Sequence, residues 1–452
     1  MPIFALVLIL TGLAFCSLAS GNAEVATAPD VNVTGDWQVR VGVGQVQLAE
    51  KLVTIVTPAT IIVSPAPLVS VTAERHDALP VFNAGAAGWA KGVRLQGVVT
   101  QETSAKGYLD PESVEVTSTP DSGITYTRDA DYALDCDWGT FGRLPGGRIN
   151  EHTTVYVRYR HGLGRLDTLV VQRNGTVELR LGLPAVNVPQ PAPTPVGTVA
   201  LAHIWVPGRL AHLSAEQIFP IMETAYPHPA PPVADQLLPT TLQKLRNGKA
   251  VTILAWGDSV TEGSFLPAPE TDRWQAQFVT RLRVRFPKAH ITLVNLGWGG
   301  RNTESFLNEP PGSPFNYAEK VLGVKPDLIV SEFVNDAGLS PEGVEARYSK
   351  LLADFHGIGA EWIILTPHYV RPDWMDLTRE RDIDTDPRPY VAGLRQFAAR
   401  HHVALADAAL RWGRLWRQGI PYTTLLLNAI NHPDAHGMRL FADSLLDIFP
   451  EK

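Results

Sequence analysis

Four short clusters in the second half of this 452-residue chain hold the residue types that acyl transfer needs. The first, Gly257-Asp258-Ser259-Val260, follows the apolar run Val251 to Trp256, which puts a serine at the carboxyl end of a buried strand where a helix begins. A serine hydroxyl is a weak nucleophile until a base takes its proton. His432, in Asn431-His432-Pro433-Asp434, is the candidate base. Attack on a carbonyl creates a tetrahedral oxyanion, which preorganised donors must hold. Gly300, closing Asn295-Leu296-Gly297-Trp298-Gly299-Gly300, can present a backbone N–H with no side chain in the way. Asn335, in Val334-Asn335-Asp336, can present a side-chain amide. Each residue has an ordinary alternative: a helix cap for Asp258 or Ser259, a tight turn for the glycines, a turn cap for Asn335. The serine does not sit in a G-x-S-x-G elbow, because Thr261 occupies the last glycine position.

The four clusters, in this order, resemble the consensus blocks of the SGNH (GDSL-type) hydrolase superfamily over roughly residues 248–448. The resemblance implies a flavodoxin-like α/β domain that hydrolyses esters, with Ser259 and His432 as the catalytic pair. It also implies Ser259, Gly300 and Asn335 as the oxyanion donors. It further implies an acid three residues before the histidine, but Ala429 stands there. An orienting acceptor holds the imidazole in its working tautomer, and the candidates for that task are Asn428, Asn431 and Asp434. Trp298 and His368 are candidates for lining the substrate cleft. No Cys/His cluster, phosphate loop or carboxylate spacing suited to a metal is present, so neither cofactor nor metal is expected.

For these clusters to meet, the strand ends that carry them must lie side by side. Beyond Leu242, strand-like runs at Val251–Trp256, Ile291–Asn295, Leu328–Glu332, Trp362–Thr366 and Val403–Ala406 alternate with helical patterns. The helical patterns are Trp274–Arg285, Ser340–His356, Pro389–His402 and Met438–Phe449. Such alternation predicts a parallel sheet covered by helices. From about residue 31 to 182 the apolar residues alternate with period two, as in Val155-Tyr156-Val157-Arg158-Tyr159, which predicts antiparallel strands in one or two β-sandwiches. Asn174-Gly175 reads as a hairpin turn between two such strands. Pro184 to Pro195 and Pro227 to Pro232 read as stiff connectors. The expected organisation is a sandwich-like β-rich domain over residues 24–232 and a hydrolase domain over 238–452. Every catalytic cluster follows the second proline-rich stretch, so the β-rich part is expected to be dispensable for small soluble esters and to matter on polymers.

The charge balance, 39 basic against 46 acidic residues with no Lys/Arg-rich block, argues against a nucleic-acid partner. Ile3 to Leu18 is apolar and followed by small residues, so residues 1–23 read as a secretory signal, too short for a transmembrane anchor. Its removal takes Cys16 and leaves Cys136, which excludes an internal disulfide. The signal segment makes the expected esterase an exported or periplasmic one, and export, the β-rich half and the aromatic residues Trp256, Trp298, Tyr369 and Trp374 suggest a carbohydrate substrate. Its substrate would be a small or polysaccharide ester, most simply an acylated carbohydrate. The alternatives are a carbohydrate-binding surface protein with a catalytically weak hydrolase domain, and an O-acyltransferase.

Overall fold

A strand buried on both faces reads as an unbroken apolar run, and such strands are stable only side by side beneath helices. The computed structural model describes residues 28–121 and 123–451, so the expected signal segment and Cys16 lie outside the described residues. In it the apolar runs form five parallel strands: β1 Ala250–Gly257, β2 His290–Gly297, β3 Leu328–Glu332, β4 Glu361–Leu365 and β5 Ala404–Ala406. Their order in the sheet is β2-β1-β3-β4-β5. The central strand β1 runs in register with both neighbours, pairing Gly257 with Gly297 on one side and with Glu332 on the other. Three strand ends therefore stop at one level, and the loops that follow them emerge together.

The helices close both faces. The short α1 (Ser259–Glu262) follows β1, and then come α2 (Trp274–Arg285), α3 (Pro341–Gly357), α4 (Pro389–His401) and α5 (Ala435–Asp447). Helix α2 buries Trp274, Phe278 and Leu282 at four-residue spacing against α5, which buries Met438, Phe441 and Leu445. Helix α3 packs on α4 on the other face. Starts are set by local chemistry: Ser340 caps α3 with Pro341 at its first position, and Asp434 caps α5 by accepting from the Gly437 N–H at 2.8 Å. Such a cap is worth about 1 kcal/mol.

The amino-terminal part is built almost entirely of antiparallel strands around two separate apolar cores. Strands from residues 31–62 pack on a sheet made of Arg165–Gln172, Val177–Arg180, Thr198–Val206 and Ile218–Pro220, burying Val39, Val41, Leu169 and Ile204. Asn174-Gly175 makes the turn between the first two strands of that sheet, with Gly175 at φ +85°, a conformation glycine adopts without steric cost. A second unit, residues 68–162, is inserted between these strands and buries Leu95, Val98, Phe141 and Tyr159.

The β-rich half does not end in a free tether. Leu166, Trp205 and Phe219 share a small core with Trp416. The Met222 N–H donates to the Arg417 carbonyl at 2.7 Å, and the His203 ring donates to the Gly419 carbonyl at 2.7 Å. The proline-rich stretch expected to be a connector is pinned as well, through Asn187, whose side-chain amide donates to the Leu427 carbonyl. Among the described residues no helix is long and apolar enough to cross a membrane.

Candidate active site

The turn after β1 is possible only with glycine. A Cβ on Gly257 would lie 2.1 Å from Thr261 Oγ1 and 2.3 Å from the Glu332 carbonyl oxygen, and one on Gly297 would lie 2.0 Å from the Glu262 nitrogen. These two close approaches let α1 start directly over the sheet. Gly297→Ala should therefore lower the unfolding free energy by about 2–4 kcal/mol, since the obstructing atoms belong to the backbone and cannot swing away. An unchanged denaturation midpoint would show that β2 and α1 separate easily.

Asp258 is fully buried and ties two loops together. One carboxylate oxygen accepts the Val260 N–H at 3.1 Å, capping α1, and the other accepts the Asn335 N–H at 2.9 Å. Burial pushes its carboxyl up to about 7, the backbone donors working against that, and burial also raises the neighbouring buried Glu332. With Asp258 as the cap, Ser259 is left free at the first turn of α1, 8 % exposed.

His432 faces Ser259, its Nε2 lying 3.1 Å from the serine Oγ. Its Nδ1 lies 2.7 Å from Oε1 of Gln101, a residue of the β-rich half. The imidazole is stacked flat on Phe265, with ring centroids 4.1 Å apart and planes 9° apart, so its orientation is fixed on a face as well as at both nitrogens. Burial pushes its pKa down to about 4, against the pull of the Glu102 carboxylate.

The two glycine and asparagine loops meet beside the serine. Gly299 comes within van der Waals range, its Cβ position being 3.9 Å from Ser259 Cβ. Gly300 is at φ +71° with open space on its side-chain face. That left-handed conformation, rather than a neighbouring atom, is what calls for glycine. The Asn335 side-chain amide donates one hydrogen to the Arg301 carbonyl at 3.1 Å, which holds it next to the Gly300 turn and leaves its second hydrogen available. Ser259, Gly300 and Asn335 thus converge on loops set by strand register, and His432 meets them from the segment between the turn at Tyr422–Leu425 and α5.

The three candidates for orienting His432 do something else. Asn428 turns its carbonyl oxygen to the backbone N–H groups of Ile430, Asn431 and His432 at 2.8–3.0 Å, while its amide donates to Asn431 Oδ1. Asp434 caps α5. Both imidazole nitrogens are taken by Gln101 and Ser259, so none of Asn428, Asn431 and Asp434 orients the ring. Ala429 lies at φ +56° and lines a cavity of about 330 Å³ between the two halves, a cavity bordered by neither Ser259 nor His432. A carboxylate placed there would point away from the imidazole.

Of the two cleft-lining candidates, His368 needs correcting, because it faces the core. His368 is fully buried between Trp412 and Phe441 and donates to the Asn431 carbonyl at 2.8 Å, bracing the histidine loop from below. Burial holds its pKa well under the ordinary histidine value. Trp298 stacks on Phe315 at 4.2 Å and carries the Arg301 guanidinium 5.1 Å over its ring, as part of an aromatic cluster with Phe306. Trp256 is core. Gln101 and Phe265 were missed. No local pattern marks either, and Gln101 is 331 residues from the histidine it touches. Among the described residues no group of three or more His, Cys, Asp or Glu is arranged to hold a metal ion.

Residues 255–440 match the model of the GDSL-like Lipase/Acylhydrolase family. No curated protein matches the chain. Similar solved structures include LAE5, an α/β hydrolase enzyme from the metagenome of Lake Arreo, Spain, at 21 % identity and TM-score 0.35, covering 43 % of this chain and 93 % of that one. Another is the acetylxylan esterase Axe2 from Geobacillus stearothermophilus, at 19 % identity and TM-score 0.35, covering 44 % and 95 %. A third is CEX, a two-domain esterase active on acetylated mannans, co-crystallised with mannopentaose, at 17 % identity and TM-score 0.36, covering 46 % and 52 %. With its parallel sheet and its four clusters on adjoining loops, the carboxyl-terminal part of this chain is a hydrolase domain of the GDSL-like lipase/acylhydrolase family.

Proposed function

We propose that the protein is an exported serine esterase that removes acetyl or other short acyl groups from a carbohydrate. The observation that carries this reading is the 3.1 Å approach of His432 Nε2 to Ser259 Oγ beside the Gly300 and Asn335 donors. In the reaction Ser259 Oγ attacks the ester carbonyl while His432 Nε2 takes its proton. The oxyanion is held by the N–H groups of Ser259 and Gly300 and by the Asn335 amide. The imidazolium then protonates the sugar oxygen as its bond to the acyl carbon breaks, leaving an acyl-serine. Water, deprotonated by the same nitrogen, attacks the acyl carbon, and the imidazolium returns the proton to Ser259 Oγ as its bond to that carbon breaks and the acid is released.

A short acyl group is favoured because Ser259 is 8 % exposed, crowded by Gly299 and by the His432–Phe265 stack. A carbohydrate leaving group is favoured by an aromatic patch next to the histidine loop. Trp374, about half exposed, and Trp89 of the β-rich half have ring centroids 6.1 Å apart, and the guanidinium of Arg371 lies against Trp374 and Trp138. The Arg371 N–H donates to the Ile430 carbonyl at 2.7 Å, two residues from His432. Tryptophan faces present flat apolar surface of the kind sugar rings stack on.

The test is a panel of p-nitrophenyl esters of increasing chain length together with acetylated polysaccharides. Acetate ester should turn over fastest, and acetate should be released from the polymer. Retention of polysaccharide without turnover would make the protein a binding module, and transfer of the acyl group to an added sugar would make it an acyltransferase. Within this reading, Asn335→Ala should lower kcat roughly 10²–10³-fold with little change in KM, because the amide meets full charge only in the transition state. A raised KM at constant kcat would instead make Asn335 a substrate-binding residue.

A further inference from the structure

The β-rich half reaches into the site through one tight hairpin. Its arms are held by the Ala105 N–H donating to the Val98 carbonyl at 2.8 Å and by the Val99–Ser104 bridge. At the tip the Thr100 N–H donates to the Thr103 carbonyl at 3.0 Å, and the Thr103 N–H donates to the Gln101 carbonyl at 2.9 Å. This closes a three-residue turn around Glu102, which lies at φ +61°. A non-glycine residue in that region is strained, and such strain persists only where surrounding contacts enforce it.

Those contacts are with the histidine loop. The Gln101 N–H donates to the Leu427 carbonyl at 3.2 Å, and the buried Thr103 hydroxyl donates to the Asn428 carbonyl. Asn187 adds a second donor to Leu427, whose own N–H donates to the His432 carbonyl at 2.7 Å. The hairpin tip is thus tied to the segment that carries the histidine, and its side chains are delivered to the free edge of the imidazole. Gln101 Oε1 arrives 2.7 Å from Nδ1, and Glu102 Oε2 stands 3.7 Å from the same atom.

We propose that Gln101 is the positioning residue for His432, with Glu102 as its supporting charge, so that the β-rich half completes the catalytic constellation. The proposal rests on the reading of His432 as the base for Ser259. An amide oxygen at Nδ1 accepts its hydrogen and so fixes the tautomer whose Nε2 lone pair faces the serine. Being neutral, the amide orients the ring but stabilises the imidazolium less than a carboxylate would. Glu102 supplies negative charge nearby, but its side chain is 64 % exposed, so water screens much of the attraction. Ala429 can stand where the family pattern implies an acid because the acceptor comes from the other half of the chain.

The proposal separates from a merely structural role for the hairpin by what happens to the pH profile. In the full-length protein, Gln101→Ala should lower kcat on p-nitrophenyl acetate by about 10²-fold with KM within a few-fold, since the ring loses its tautomer lock. Gln101→Glu keeps the acceptor and adds charge, so it should retain activity and move the acid limb of kcat/KM upward by about one pH unit. Glu102→Gln should cost only a few-fold and move the same limb downward. Melting curves identify any variant that fails to fold, and Gln101→Glu, closest in shape, keeps the test open in that event. Wild-type kcat in Gln101→Ala, or an acid limb unmoved in Gln101→Glu, overturns the proposal while His432→Ala remains inactive. If His432→Ala itself turns over normally, the reading of the base fails and the proposal falls with it.

Discussion

Ser259→Ala should abolish ester hydrolysis while leaving the protein folded. The serine Oγ lies 3.1 Å from His432 Nε2, and the start of α1 is capped by Asp258, not by the serine hydroxyl. On the proposed mechanism, removing that oxygen takes away the atom that bonds to the acyl carbon and disturbs little else. The surrounding sheet ends and the Gly300 and Asn335 donors stay in place, so substrate should still bind. Loss of a covalent nucleophile costs on the order of 10⁴ or more in kcat, the residue being whatever the oxyanion donors achieve with water alone. The measurement is initial-rate hydrolysis of p-nitrophenyl acetate beside a thermal melt, with mass spectrometry to look for an acyl adduct on the wild type. A variant within tenfold of wild-type turnover would take Ser259 out of the mechanism.

His432→Ala should have an effect of the same order, for a different reason. The proposed nucleophile remains, but among the described residues His432 is the side chain hydrogen-bonded to Ser259 Oγ: Asp258 is committed to two backbone N–H groups, and His368 is buried below the loop. A loss on the order of 10⁴ is expected. Because the imidazole is stacked on Phe265, its removal also opens a small space, and added imidazole should restore part of the activity. The wild-type pH profile carries a related expectation. Burial depresses the His432 pKa, so the neutral, proton-accepting form persists to lower pH than for an exposed histidine. Activity should be present above the depressed pKa and lost only as the pH falls through it, which puts the acid limb of kcat/KM well below 6.5. An acid limb at or above 6.5 would mean that the ring is more hydrated or more strongly paired with a carboxylate than its surroundings indicate.

Much of the site could be read before any fold was known, because Ser259, Gly300 and Asn335 follow strand ends and strand ends are local. Parallel strands covered on both faces are written as apolar runs, the breaks between runs are glycines, prolines and polar residues, and β1 pairs Gly257 with both Gly297 and Glu332. The clusters carrying Ser259, Gly300 and Asn335 follow these three ends directly, so their order along the chain already implied that they would lie side by side. Direction within a loop was not legible. His368 follows the fourth strand run as a cleft residue would, yet its ring turns into the core under the Asn431 carbonyl. Asp434 stands beside His432 in sequence, yet its carboxylate is used to start α5.

What the chain alone determined was therefore the hydrolase sheet, the antiparallel character of the first half, and the candidate residues Ser259, His432, Gly300 and Asn335 that could meet. Only the tertiary structure decided that the two halves share a core around Trp416 and that the β-rich half, expected to be dispensable for small esters, places Gln101 against His432. Periodicity and capping report which face of a segment is buried and where it begins, since those are fixed by neighbours a few residues away. The docking of a hairpin tip on a loop 331 residues distant is fixed by a handful of directional hydrogen bonds from Gln101, Thr103 and Asn187, polar residues that leave no repeating mark in the sequence.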